Sequence, residues 1–220
     1  MRHDRKCMIF VWILGGLLAA FTGYSDVRGA EDPTYDQLME QAQKDRAEKN
    51  YADSAVMAGR AFLLADKLAN AGAARQKAAE LSASASAEAR KAGEEINGVV
   101  SIVIDPSAGK LYLFEGETIR KIFDLLCNPG FILPPGKYAV GPKLPYPNYE
   151  LNGTFRGRME KENPLGARWI EIRDQGGKGV FGIHGRKDGT KENLIFFSLQ
   201  NGDVIELFGL LAEGGRIDVK

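Results

Sequence analysis

Few residues of this 220-residue chain could form a nucleophile and its base. The chain has two cysteines, Cys7 and Cys127, and two histidines, His3 and His184. A cysteine attacks as the thiolate, so it needs a nearby base or cation that removes its proton. Cys7 lies in a predicted export segment, so the four residues are expected to form neither a four-ligand zinc site nor a disulfide framework. The sequence predicts no metal site and no cofactor.

The first 30 residues predict export. Arg2, Arg5 and Lys6 precede an uncharged, apolar run over residues 7–23. This pattern is typical of a signal peptide, and the run is at the short limit for a membrane-spanning anchor. Cleaved signal and retained anchor both stay open. In either case residues from about 31 onward lie outside the cytoplasmic membrane, in the periplasm or cell envelope.

Residues 31–95 predict a helical arm, because Ala, Glu, Lys and Gln dominate there. Pro33 suits a first helical turn, Asp53 or Ser54 can cap a second helix, and Gly72 separates a third. One tetratricopeptide-like unit or a coiled helical hairpin would both fit the pattern. The arm is a possible site for a protein partner.

Residues 99–220 predict a mainly β domain, so the fold class is α+β. Short alternating runs are separated by Gly and Pro turns, as in an antiparallel sandwich or barrel-like sheet. One further helix is expected over residues 203–211. Formal net charge is zero, which argues against a nucleic-acid partner. Membrane contact is expected only through the N-terminal segment.

The β domain carries motifs in a recognisable order. They are VVSIVIDPSAGKLYLFEG, LPPGKYAVG, NPLGARWIEI, GIHG and SLQNGDVIELF. This series resembles the L,D-transpeptidase (YkuD-type) catalytic domain over roughly residues 99–220. The resemblance implies a sandwich-like fold and an exported enzyme of the peptidoglycan layer. It also implies a cysteine that attacks the stem peptide, releases D-alanine and passes the acyl group to an amine.

The chain departs from that family at the nucleophile. His184 and Gly185 match the family's His-Gly, so the resemblance makes His184 the base. The S/T-x-G-C motif is absent, and counting back from Asp203 puts its cysteine on Phe196. The residues before it fall on Asn193, Leu194 and Ile195, and the family's arginine falls on Ser198. Phe196 cannot be a nucleophile.

Three functional hypotheses follow. The first is a peptidoglycan-binding protein that has lost transpeptidase turnover. The second is an active acyl transferase with a nonstandard nucleophile, for which Cys127 is the only thiol candidate, although a lone cysteine is more often a small buried apolar residue. The third is an envelope scaffold that works through the helical arm.

Substrate-binding candidates lie near the NPLGARW motif. Trp169 is one, although the pattern favours a packed core aromatic residue there. Tyr149 and Arg156 lie with Tyr146 and Phe155 in a polar segment broken by Pro and Gly, which predicts a surface loop. Arginine and aromatic side chains there could bind peptide carboxylates or glycan.

Overall fold

The computed structural model describes residues 32–128, 133–151, 153–158, 160, 163–186 and 196–220. Residues Pro33–Lys220 form one compact unit. The predicted export segment lies outside the described residues. None of the helices in the described ranges has the length and apolarity needed to cross a membrane.

Three helices come first: α1 (Tyr35–Ala47), α2 (Tyr51–Leu64) and α3 (Ala71–Ala92), with a 3₁₀ turn at Ala65–Lys67. Thr34 starts α1 with a capping box, in which its hydroxyl accepts from Gln37 N and the Gln37 side chain accepts from Thr34 N. Gly93 ends α3 because its φ of 79° lies in the left-handed region that glycine favours. The second helix begins at Tyr51, before the predicted cap at Asp53 or Ser54.

In the described part of the chain, ten strands and one more helix follow. They are β1 (Val100–Asp105), β2 (Lys110–Glu115), β3 (Thr118–Asp124), β4 (Gly136–Pro145), β5 (Tyr149–Leu151), β6 (Thr154–Arg156), β7 (Arg168–Arg173), β8 (Gly179–Arg186), β9 (Phe197–Gln200), α4 (Asn201–Leu210) and β10 (Arg216–Val219). The large sheet has the order β3-β2-β1-β10-β4-β7-β8-β9, and β5 and β6 form a separate hairpin. The β1–β10 and β8–β9 pairs are parallel, and the other pairs are antiparallel.

The two ends of the large sheet approach each other and make a near-barrel. Leu126, just after β3, forms an isolated antiparallel bridge with Ser198 of β9. Helix α4 also faces β3, because Lys121 pairs with Asp203 at 3.2 Å and with Glu206 at 2.7 Å. Alternate residues of the strands pack inside with the buried face of α4, which supplies Val204 and Leu207.

The helices cover the outer face of β1, β2 and β3. In β2, Leu111 and Leu113 point inside, whereas Tyr112 and Phe114 pack outside against the helices. Ser82 of α3 joins three elements, since its hydroxyl donates to Ala55 O of α2 at 2.7 Å and accepts from Ile119 N of β3 at 2.9 Å. The helices are therefore packed on the sheet.

Close backbone contact fixes the helices on the β2–β3 turn. A Cβ added to Gly59 of α2 would lie 1.8 Å from the Glu117 carbonyl oxygen, so only glycine fits there. Arg60 also pairs with Glu117 at 2.7 Å. This contact positions the helical layer relative to the edge strand of the sheet.

The predicted α+β fold class is confirmed, with a helical segment before a mainly β segment. Two local predictions differ. The 144–166 segment, expected to be a surface loop, contains the β5–β6 hairpin. The final helix begins at Asn201 rather than at Asp203, because Asn201 follows β9 directly.

Candidate functional site

The candidate site is built around His184, on β8. Ile183 points into the near-barrel core, so strand alternation places His184 on the opposite face of the sheet. His184 is opposite Trp169 of β7 and opposite Ser198 of β9 in the register of the sheet. The Leu126–Ser198 bridge continues the same row of residues. Motifs that are far apart in sequence therefore meet here.

The imidazole of His184 is fully buried and neutral at physiological pH. Burial lowers its pKa from 6.5 to about 4, because the charged form loses its water; the hydrogen bond to Gly185 opposes this shift. Nδ1 lies 2.6 Å from the carbonyl oxygen of Gly185. Since a carbonyl only accepts, Nδ1 carries the proton and Nε2 carries the lone pair.

Nε2 of His184 is the unusual atom of the site. It is buried and has no hydrogen-bond partner among the described residues. Buried polar groups normally have a partner, so such an atom calls for an explanation. In chemical terms it is a base to which no described residue supplies a proton.

Aromatic rings surround that base. The Trp169 ring lies nearly parallel to the His184 ring, with centroids 6.5 Å apart and an interplanar angle of 14°. The Phe196 ring stands edge-on to both, with its centroid 4.8 Å from Trp169 and 6.4 Å from His184. Gly182 makes room for Trp169, because an added Cβ would lie 2.1 Å from the indole.

Phe196 is the residue on which the resemblance to the family's motif places the nucleophile. Its ring contacts His184 and Trp169 directly. Asn193, Leu194 and Ile195, which correspond to the rest of the nucleophile motif, lie outside the described residues. A phenyl ring has neither a proton to give to His184 nor an atom that can attack a carbonyl.

The described contacts of Cys127 are with groups other than His184. Its side chain packs against the interior core, and its thiol donates to Pro106 O at 3.7 Å. Burial raises the pKa of the Cys127 thiol, so it stays protonated at neutral pH. No hydrogen bond joins Cys127 to His184 in the described part of the chain, so the structure does not bring this candidate to the base.

Ser198 is the hydroxyl closest to His184 in the sheet register. Its Oγ is 3.5 Å from Leu126 O, which is a long hydrogen bond. It makes no hydrogen bond to the His184 ring, whose Nε2 is unpartnered. The strand pairing explains the place of Ser198 without any role in catalysis.

Asn201 is a site residue that the sequence analysis missed. Its Oδ1 accepts from Ala167 N at 2.9 Å. A Cβ added to Gly185 would lie 2.2 Å from this oxygen, and one added to Gly166 would lie 2.3 Å from it. Two backbone segments, at Gly166–Ala167 and at Gly185, thus lie against the carboxamide of a third, at the start of α4. The Asn at the start of the helix after SLQ was the available sequence signal.

The remaining candidates lie in or beside the small hairpin. Tyr149 and Arg156 face each other across β5 and β6. Arg156 Nη1 donates to Phe155 O at 3.0 Å. Among the described residues, no hydrogen bond or ring contact joins Tyr149 or Arg156 to His184. Trp169 is therefore the one predicted substrate-binding residue that contacts the histidine ring.

The chain is similar to solved L,D-transpeptidase structures. A mutant of the Enterococcus faecium L,D-transpeptidase matches at 19% identity and a TM-score of 0.42, over 56% of this chain and 50% of that one. The catalytic domain of the E. faecium enzyme matches at 18% identity and a TM-score of 0.41, over 55% of this chain and 96% of that one. Mycobacterium tuberculosis L,D-transpeptidase 1 matches at 12% identity and a TM-score of 0.41, over 55% of this chain and 61% of that one.

Comparison of sequences alone gives no match. No family model matches the chain, and no curated protein matches it. The chain covers about half the length of the first solved structures that it resembles, 48% and 50%. The solved structures are named for the family that the motifs resemble.

The described residues offer no cluster for a metal ion. No group of three or more His, Cys, Asp or Glu side chains is arranged to hold one in those ranges. Among the described residues, the site offers a neutral imidazole, aromatic rings and backbone amides.

Proposed function

We propose that this protein is an exported cell-envelope protein that binds peptidoglycan stem peptides and has lost transpeptidase turnover. The observation that carries the proposal is the Phe196 ring, which packs against His184 at the position where the family has its nucleophile. The motifs around the site support the family substrate, whereas the site chemistry argues against acyl transfer.

The argument against turnover rests on proton transfer. A covalent mechanism needs a thiol or hydroxyl within hydrogen-bond reach of a base, at about 2.6–3.2 Å, so that the base can take its proton. His184 offers a neutral Nε2, but no described side chain donates to it. Cys127 donates to a backbone carbonyl instead. Neither residue, as described, belongs to the hydrogen-bonded donor–base pair that an acyl-enzyme mechanism needs, which supports the proposal.

The argument for binding rests on what the site keeps. Trp169 contacts the base and is only partly buried, so it can offer part of its indole to a ligand. Backbone positions at Gly166 and Gly185 are held by Asn201 although no nucleophile requires them. A partly exposed aromatic residue on a firmly held backbone suits contact with a peptide.

Two assays on residues 33–220 test the proposal together. The protein is incubated with purified sacculi and sedimented, and separately with tetrapeptide muropeptides and an amine acceptor. We expect cosedimentation without D-alanine release by mass spectrometry, beside an active L,D-transpeptidase as the positive control. A Trp169→Ala variant is expected to sediment less than the wild type.

Each outcome is informative. D-alanine release or cross-linked product would contradict the loss of turnover, and Cys127→Ala and His184→Ala would then identify the residues responsible. Failure of the folded protein to sediment with sacculi would contradict peptidoglycan binding. Folding is checked by far-ultraviolet circular dichroism, because Trp169 is the only tryptophan after residue 12 and the Trp169→Ala variant has no tryptophan fluorescence.

A further inference from the structure

Four arginines have no carboxylate partner among the described residues, and two of them lie on β7 and β8, the strands of the candidate site. Of the eleven arginines in the described residues, seven form an ion pair with a carboxylate. The other four, for which no described carboxylate is a partner, are Arg156, Arg158, Arg168 and Arg186. All four lie between the β5–β6 hairpin and the end of β8. Arg168 and Arg186 contribute positive charge on β7 and β8, which favours an anionic ligand there.

Arg168 differs from the other three because its guanidinium is held in place. It lies 5.0 Å from the centroid of the Tyr146 ring and 5.2 Å from that of the Phe208 ring. Its Nη1 donates to the Ala167 carbonyl oxygen at 2.8 Å. A guanidinium in contact with two rings has fewer rotamers to lose when it binds a ligand.

Tyr146 is itself fixed in an uncommon conformation. Its φ of 50° is rare for a bulky residue. Its backbone N–H donates to the same Ala167 oxygen at 2.9 Å, and its side chain is 43% exposed. The Ala167 carbonyl thus positions both the arginine and the tyrosine.

We propose that Arg168 binds the free carboxylate of a peptide. The Nε and Nη2 donors of Arg168 have no hydrogen-bond partner among the described residues, and together they match the two oxygens of a planar carboxylate. The neighbouring Tyr146 and Phe208 rings suit a carboxylate carried on a small apolar residue. The inference rests on the proposed function in taking that peptide to be a peptidoglycan stem.

The Ala167 peptide connects this arginine to the histidine site. Ala167 N donates to Asn201 Oδ1, and Asn201 packs directly against Gly185, whose carbonyl holds His184. Arg168 and His184 therefore lie on neighbouring strands that share one set of backbone contacts. Their side chains are on opposite faces of the sheet, because Arg168 alternates with Trp169, which is opposite His184.

Chemical footprinting of the full chain tests the site without any mutation. Phenylglyoxal modifies accessible guanidinium groups, and peptide mass spectrometry gives the rate for each arginine. N-acetyl-D-alanine is added until protection levels off, and N-acetyl-D-alaninamide is the uncharged control. We expect the acid to slow modification of Arg168 about tenfold, which corresponds to 1.4 kcal/mol, and the amide to have no effect. Arg158, which is exposed and also unpaired, serves as the internal control.

Three results would overturn the proposal. Arg168 could be unprotected, Arg158 could be protected to the same degree, or inorganic phosphate could protect Arg168 as well as the acid does. The last result would mean a general oxyanion site rather than a carboxylate site.

Sacculus binding separates this proposal from the proposed function. Arg168→Gln is expected to weaken cosedimentation about tenfold, Arg168→Lys to weaken it less, and Arg158→Gln to leave it unchanged. Protection of Arg168 without sacculus binding would overturn the proposed function alone. Full sacculus binding by Arg168→Gln would overturn the role of Arg168 in that binding and leave the proposed function standing.

Discussion

Ser82 and Ser86 allow the attachment of the helices to the sheet to be measured directly. Both are fully buried on the same helix, one turn apart. The Ser82 hydroxyl makes two hydrogen bonds, to Ala55 O and from Ile119 N, whereas the Ser86 hydroxyl has no partner among the described residues. Replacing each serine with alanine removes a hydroxyl oxygen that is hydrogen-bonded at Ser82 and has no described partner at Ser86.

The expected magnitudes follow from those contacts. Ser82→Ala leaves the buried N–H of Ile119 unpaired, and an unsatisfied buried group costs about 1–3 kcal/mol. Ser86→Ala removes a buried hydroxyl that already lacks a partner, so it is expected to be neutral or to stabilise by up to ~1 kcal/mol. Alanine also has the higher helix propensity, by at most about 0.7 kcal/mol, but this gain is equal in both variants. The difference between the variants therefore measures the hydrogen bonds.

Urea unfolding of residues 33–220 provides the assay. Far-ultraviolet circular dichroism follows the helices, and fluorescence follows Trp169 in the sheet. We expect the two transitions to coincide, and both to move to lower urea in Ser82→Ala only. Equal effects of the two substitutions would refute the role given to Ser82. The packing of the helices on the sheet leads us to expect that both unfold as one cooperative unit, and separate transitions would refute this expectation.

Further predictions concern the site itself. Gly182→Ala should displace the Trp169 indole, change its fluorescence and destabilise the protein by about 1–3 kcal/mol through overpacking. Gly202→Ala, where a Cβ meets nothing within 4 Å, is the control and should not destabilise. The pKa of His184 is lowered from 6.5 to about 4, so the unfolded chain binds the proton more readily between those values. The contribution of the buried neutral imidazole to the free energy of unfolding should therefore be fully present above pH 6.5 and fall by about 3 kcal/mol as the pH drops towards 4. His184→Gln should abolish that part of the pH dependence. A pH-independent free energy of unfolding in the wild type over this range would contradict the buried neutral imidazole. Because burial raises the pKa of Cys127, a thiol reagent should modify it more slowly than free cysteine and at the same rate in His184→Ala; a slower rate in that variant would show that the histidine activates the thiol.

The strands could be predicted from the sequence because short apolar runs between Gly and Pro turns indicate strands even where both faces are buried. In KLYLFE, Leu111 and Leu113 fill the interior while Tyr112 and Phe114 meet the helices. The packing of the helices on that outer face could not be predicted. It depends on Gly59 and Ser82, and a single glycine or serine in a helix carries no periodic signal.

The candidate site could be predicted in part. The GIHG motif identified His184, and the pairing of β7 with β8 then brings Trp169 opposite to it. Cys127 could not be placed from sequence, since its position depends on how the chain leaves β3 after Asp124. The roles of Arg168 and Asn201 depend on where α4 lies relative to β7, which no local pattern specifies.

The motifs that carry the family resemblance are also required by packing. Gly166 of NPLG and Gly185 of GIHG both lack the space for a side chain because the Asn201 carboxamide lies against them. That carboxamide holds Ala167, and the Gly185 carbonyl holds the imidazole. A chain that loses its nucleophile would keep these residues for stability alone, since any larger residue would force three backbone segments apart. The presence of such motifs therefore supports the fold. Evidence for catalysis would have to come from a proton donor at Nε2 of His184. Among the described residues Nε2 has no such donor, and the Phe196 ring contacts the imidazole.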